Sequence, residues 1–284
     1  MKIYSRFVTE IKSHSHILNA AAFKVLASEE SLTRIVSVSE ETLKVEVIMT
    51  EEMKETNTDY FGYAFVVSAS FLVALNIAAL GYFSWAIGNR MFWHCEHVGP
   101  SGEPEQVFLN SKDVTFPTEK RLLTEDEVRN SLIILGSLLR DTDQEFRREY
   151  LKGIVHLSSG FGDLMFGRET FANFYRAFEY FVTSRVLMKK KLTNEMKDLA
   201  EGIRRMGLPA EFGDEFAGLY KIRSEQVMHA QKEPKDMDMD NVLKMKIFTD
   251  YALHKYYRSQ ADLWLAEHKK RQAVVRNGKD YMMA

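Results

Sequence analysis

A single cysteine, Cys95, occurs among the 284 residues, so the chain has no intramolecular disulfide and no zinc site built on several thiolates. Proline is scarce too: beyond Pro117 only Pro209 and Pro234 interrupt the chain, which leaves room for long helices in its second half. Neither sign of charge dominates. The 38 basic and 40 acidic residues give a net −2, which excludes coating of nucleic acid by bulk positive charge. The P-loop, a GxGxxG after a strand, HExxH, CxxC and GxSxG are all missing, and with them the chemistries those patterns support. The N-terminus, MKIYSRFVTEIKSHSH, has no apolar run behind its charges and does not read as a secretory signal, so a cytoplasmic protein is expected. What remains is a globular composition, 45% hydrophobic and 27% charged, too apolar for disorder. Its length suits one or two domains, each able to bury a core.

The pattern along the chain predicts an α+β protein in two parts. Residues 1–116 read as a mixed β-sheet domain of unknown role with one long apolar helix. Phe23–Ala27, Leu32–Val38 and Thr42–Thr50 look like strands, as do Arg90–Val98 and Gln106–Leu109 around the turn VGPSGEPE. Residues 124–268 read as a helical bundle, followed by a basic tail, 269–284, expected to fray. Thr124-Glu-Asp-Glu127 is a capping box for a helix to about Leu139, and a second helix should cover Asp143–Leu157. Phe171, Phe174, Tyr175, Phe178, Phe181, Val182 and Val186 form one aromatic stripe at helical spacing, which predicts a core face. Further helices are expected over Asn194–Met206, from about Glu211 to Ala230, and from Asp238 past Tyr257.

One segment passes the length test for a membrane span. No charge occurs from Phe61 to Asn89, and Phe65–Phe83 is almost wholly apolar. Ser68, Ser70 and Asn76 interrupt it, which favours a buried core helix and no membrane; an interaction protein anchored by residues 61–83 is the competing reading.

Few residues offer chemistry. His94-Cys95-Glu96-His97 has the composition of a metal cluster, but on a strand His94 and His97 point to opposite faces, so no metal is expected there. His14 and His16 lack a third ligand and read as solvated surface. The remaining candidate is Leu219-Tyr-Lys-Ile-Arg223-Ser-Glu-Gln-Val-Met-His229, near the end of a late helix. Spacing alone says little. With 17 arginines and eight histidines, about 1.4 Arg–His pairs at the permitted spacings arise by chance. Two occur, Arg90…His97 and Arg223…His229, and only the second ends a predicted helix.

In that context the segment resembles the R-x4–6-H motif of the HEPN superfamily. YKIRSEQVMHA is similar to its ApeA-like and abortive-infection branches, and the aromatic helix with Phe178-Glu179 resembles their first core helix. The resemblance covers about residues 167–260. It implies a metal-independent endoribonuclease without cofactor, a homodimer acting on RNA, of the kind found among bacterial toxins and defence effectors. His229 would be the general acid or base and Arg223 would hold the scissile phosphate. Products would carry a 2′,3′-cyclic phosphate and a 5′-hydroxyl. Ser224 stands where active members often have Asn, Asp or His, and Glu225, four residues before His229, would orient the imidazole. Lys221, Arg204 and Arg205 are the candidates for holding the RNA backbone. On a regular helix six positions turn about 600°, which leaves Arg223 and His229 about 120° apart. They converge only if the helix loosens or a second subunit contributes its own pair. A non-catalytic HEPN-fold binding or interaction protein is the alternative.

The charge total also hides a distribution. Residues 1–115 carry −5 and the remainder +3, and Arg185–Arg205 holds seven basic residues against three acidic ones. Such a run is ordinarily a solvated face, yet it permits a local phosphate track.

Overall fold

The computed structural model describes residues 3–24, 33–50, 60–86, 94–98, 104–108, 119–140, 144–158, 167–227 and 237–280. Strands β1 (Ile3–Ser13), β2 (His16–Ile17), β3 (Thr33–Val38) and β4 (Thr42–Thr50) precede helix α1 (Tyr60–Ala79). Strands β5 (Phe83–Trp85), β6 (His94–Val98), β7 (Pro104–Phe108) and β8 (Arg121–Leu122) follow. Helices α2 (Glu125–Arg140), α3 (Glu145–Ser158), α4 (Gly167–Phe181), α5 (Glu195–Arg205), α6 (Ala210–Ile222) and α7 (Met239–Asp280) complete the chain. The fold is α+β, as the pattern predicts.

The main sheet is antiparallel, in the order β3-β4-β1-β5. Strand β4 shows why TLKVEVIMT is legible: Leu43, Val45 and Val47 are fully buried while Lys44 faces solvent, the period-two alternation of a half-buried strand. The expected strand Phe23–Ala27 is not formed at its start. Phe23 and Lys24 lie in a tight turn, because Asn19 Oδ1 accepts from Ala22 N–H (3.0 Å) and bends the chain there. Ala27 lies outside the described residues. Of the strands expected at 90–98 and 106–109, the described parts form a hairpin, β6 with β7, pairing Cys95 with Val107, and residues 90–93 and 109 lie outside the described residues.

Helix α1 is the central core element. Among the described residues it is the one helix long and apolar enough to cross a membrane, and 78% of Gly62–Ala79 is buried inside the fold. Its polar residues are structural ties. Asn76 Nδ2 donates to the Phe83 carbonyl (3.0 Å) and its Oδ1 accepts from Phe83 N–H (3.1 Å), stitching α1 to β5. Ser70 donates to the Val66 carbonyl (2.6 Å) and accepts from Arg147 Nη1 (2.8 Å), tying α1 to α3. A buried polar side chain so satisfied costs little, whereas an orphan would cost about 1–3 kcal/mol.

The helical half follows its signals. Thr124 N–H donates to Glu127 Oε2 (2.9 Å) and Glu127 N–H to Thr124 Oγ1 (3.3 Å), the reciprocal capping box that starts α2. Asn194 caps α5 by accepting from Lys197 N–H (3.2 Å). The α4 stripe is core: Phe171, Phe174, Tyr175, Phe178 and Phe181 are all essentially inaccessible. Each such side chain contributes about 1.5–3 kcal/mol through burial. Edge-to-face pairs fix their order, Phe178 on Phe248 (5.1 Å) and Phe181 on Tyr256 (4.9 Å). After Phe181 the helix widens into a π-turn, Val182–Val186. Gly202 of α5 lies against it, where a Cβ would meet Val182 Cγ1 at 2.1 Å. Helix α7 continues to Asp280, past the point where fraying was expected.

Among the described residues the last strand ends at Leu122 and helices follow from Glu125, but the buried residues do not divide there. Ile11, Leu43 and Val45 of the sheet, Phe71–Leu75 of α1, and Phe178, Phe248 and Leu253 of the bundle belong to one continuous core. A buried polar seam runs through the junction. Lys246 Nζ of α7 donates to the Gly81 carbonyl (2.5 Å) after α1 and to Asp250 Oδ2 (2.5 Å), and the Tyr150 hydroxyl of α3 donates to Asp250 Oδ1. Beside Gly81 lies His16, which corrects its reading as solvated surface. It is 2% exposed, stacks on Phe83 (5.3 Å), and shares a hydrogen bond with Ser15 Oγ through Nδ1 (2.8 Å). Burial, with the Arg121 charge second, pulls its imidazole down to about 4. His14 is likewise stacked, on Tyr82 at 4.2 Å. The period that predicts a polar face fails here because β5 and its flanks cover the strand end.

Candidate functional site

Arg223 stands at the junction of three helices. Helix α6 ends at Ile222 and the chain continues as a second π-turn, Arg223–Val227. The chain thus widens at Arg223–Val227, and π-turns recur at functional sites. His229 itself lies outside the described residues.

The guanidinium is held from three sides. Its Nη1 pairs with Glu195 Oε2 (3.0 Å), in the first turn of α5. It lies 5.1 Å from the ring centroid of Tyr175 and 5.9 Å from that of Tyr220, one helical turn back on α6. Tyr175 in turn donates its hydroxyl to Glu195 Oε1 (2.9 Å), so one carboxylate grips both the cation and the ring beneath it. Burial, reinforced by Glu195, pushes the Tyr175 hydroxyl far above its ordinary range and keeps it a donor. Glu179, a turn further along α4, is raised by burial and by the same Glu195 charge, with Arg223 opposing. The Arg223 side chain is 17% exposed, and beyond the ion pair its N–H groups make no hydrogen bond to a described residue. The arrangement is a cation oriented by a carboxylate, stiffened by two rings, with part of its donor fork open to an anionic ligand.

The other candidates do not gather around it. Ser224 is half-buried within the π-turn. Lys221 and Glu225 face each other at 3.9 Å on the outer side of α6, a weak surface pair. Arg204 and Arg205 both bind Glu201, each at 2.8 Å, and these bonds hold its carboxyl at about 2. Lys189 likewise binds Asp198 (2.7 Å). The basic run of 185–205 is thus interleaved with acidic partners close to it in sequence, the solvated-face pattern.

Glu195, Tyr175 and Tyr220 escape sequence reasoning. Glu195 reads as an ordinary first-turn acid, and no spacing rule links it to a residue 28 positions later. Tyr175 reads as core packing, which is correct for its ring and silent about its hydroxyl. At the hairpin, His94 and His97 occupy β6, paired with Phe108 and Glu105 in the ladder. Among the described residues no group of three or more His, Cys, Asp or Glu is arranged to hold a metal ion. Comparison with family models, with curated proteins and with solved structures finds no match to this chain.

Proposed function

We propose that the helical part of this protein is a HEPN-like, metal-independent endoribonuclease, in which Arg223 holds the scissile phosphate and His229 transfers the proton. The observation that carries the reading is the Arg223 site: a guanidinium pre-oriented by Glu195 and Tyr175, at the start of a widened helical turn, with donors left over. Those donors would take up the negative charge that grows on the phosphate as the 2′-hydroxyl attacks. Ser224 and Glu225 would position the histidine, and Lys221 would contact the backbone beyond the cleavage point. Arg204 and Arg205 are the weaker candidates, since Glu201 already engages both. A homodimer would complete the site with a second pair. Such an enzyme would act in the cytoplasm, as a toxin or defence effector.

Incubation of the full chain with a mixed RNA pool in EDTA, followed by end-group analysis, tests this. Fragments with 2′,3′-cyclic phosphate and 5′-hydroxyl ends are expected, lost in Arg223→Ala and in His229→Ala. Cleavage unchanged in both variants sinks the assignment, and a strict monomer at micromolar concentration in sedimentation counts against the shared site. The Glu195–Arg223 pair also favours a second reading, a non-catalytic RNA-binding module. That reading predicts RNA affinity by fluorescence anisotropy with no cleavage by the wild-type chain.

A further inference from the structure

Between α1, β5 and α3 lies a cavity of about 400 Å3, within the range that small-molecule sites occupy. Phe65, Val66, Ala69, Trp85, Leu151 and Val155 give it apolar walls, and Arg147 interrupts them. Arg147 is only 7% exposed. Its Nη1 donates to Ser70 Oγ (2.8 Å) and to the Leu138 carbonyl (3.5 Å), both neutral acceptors. Among the described residues no carboxylate pairs with it, and its other N–H groups make no hydrogen bond. That sets it apart from the other buried charges. Lys246 has Asp250, and Glu149 has Lys152 (2.6 Å) and Arg176 (3.4 Å). A buried guanidinium without a counter-ion is unfavourable, and burial accordingly pulls its pKa down. Trp85 adds a second unmet donor, a buried indole N–H with no acceptor among the described residues.

The surroundings set the charge of what fits. Arg148 and Lys152 also line the cavity, but Glu145 holds the first and Glu149 the second. Burial lowers the pKa of His156, which also lines the cavity, and so works against a charge there. Among the described residues Arg147 is the lining cation without a carboxylate partner. We propose that this cavity binds a monocarboxylate with an apolar body, an aliphatic chain or a single aromatic ring, its carboxylate on Arg147 and its body along Phe65, Leu151 and Val155. A dianionic phosphate would need a second free cation, whereas Arg148 and Lys152 are already engaged by carboxylates. The proposal is independent of the reading of Arg223.

The test uses the full chain with Trp93→Phe and Trp264→Phe, which leaves Trp85 as its one tryptophan. Its emission is followed during titration with sodium octanoate, with 1-octanol and octyl phosphate as uncharged and dianionic twins. A saturable response to octanoate is expected, with octanol and octyl phosphate each weaker by about tenfold or more, the worth of one charge-assisted hydrogen bond. Arg147→Gln should weaken octanoate by about the same factor and leave octanol unchanged. Because Arg147 also ties α3 to its neighbours, Val155→Phe serves as a second variant: it fills the cavity, keeps Arg147, and should abolish the octanoate response with unchanged far-UV circular dichroism. The absence of a saturable response overturns the proposal. So does octanol or octyl phosphate binding as tightly as octanoate, or octanoate binding undiminished in Val155→Phe.

Discussion

Replacing Asp250 by alanine should be among the most damaging single substitutions in this chain, although the residue touches no surface. Lys246 is wholly inaccessible and Asp250 2% exposed, and burial works against the charge on each, lowering the ammonium's pKa and raising the carboxyl's. Their mutual attraction offsets that penalty only while both are present. In Asp250→Ala the ammonium keeps the Gly81 carbonyl as its remaining acceptor, and the Tyr150 hydroxyl loses its own. Breaking a buried pair in this way costs about 3–5 kcal/mol. With a urea m value of about 3 kcal/mol/M for a chain this long, the unfolding midpoint should fall by roughly 1 M or more. Removing the whole cluster tells a different story. Lys246→Met with Asp250→Leu and Tyr150→Phe leaves no orphaned side-chain group, so the triple variant should recover most of the loss, a strong non-additivity. Denaturation followed by circular dichroism measures both. A midpoint for Asp250→Ala within about 0.3 M of wild type, or losses that simply add, would refute the reasoning that charge desolvation governs this seam.

Three further outcomes follow from particular surroundings. His16 titrates at about 4 in the folded chain and at 6.5 when unfolded, so between those values the unfolded state binds more protons and stability falls as the pH is lowered. The contribution is complete above pH 6.5, and about 3 kcal/mol is lost on reaching pH 4; thermal melts of wild type and His16→Gln should converge across that window, and parallel curves would contradict it. Gly202→Ala should destabilise by about 1–3 kcal/mol because its Cβ would overlap Val182, with Val182→Ala restoring part of the loss, whereas Gly136→Ala, with open space around it, should stabilise by about 0.5–1 kcal/mol in urea titrations.

The fold is largely legible because its strongest signals are local. Thr124 and Glu127 are three residues apart, the α4 stripe repeats within one helix, and Leu43, Val45 and Val47 alternate within one strand. Asn76 and Ser70 do mark a core helix, though nothing in the sequence points to their partners, Phe83 and Arg147. Strand β1 escapes the pattern because Thr9 and Ser13 dilute the face that carries Phe7 and Ile11 while Val8 lies on the opposite one, and its place depends on pairing with β4 and β5, far along the chain. The site is legible only at Arg223. What orients that residue arrives from α4 and α5, and that no carboxylate among the described residues pairs with Arg147 is a matter of three-dimensional placement, which no spacing records. Lys246 and Asp250, at i and i+4, look like a surface pair; the apolar residues on either side, MKIFTDYAL, are the available hint of burial.

The position of α1 has a kinetic side. The helix is wrapped partly by α7, through His254 Nδ1 on the Ile77 carbonyl (3.2 Å) and Lys246 on that of Gly81. During synthesis α1 is complete at Ala79, whereas α7 begins at Met239, 160 residues later. At about 5–20 residues per second that interval is roughly ten to thirty seconds. For that time an uncharged 20-residue helix, apolar enough to enter a bilayer, waits beside the ribosome without its final cover. Cells making this protein must therefore keep a nascent segment that resembles a membrane anchor away from both the insertion machinery and its own copies until the last helix closes over it.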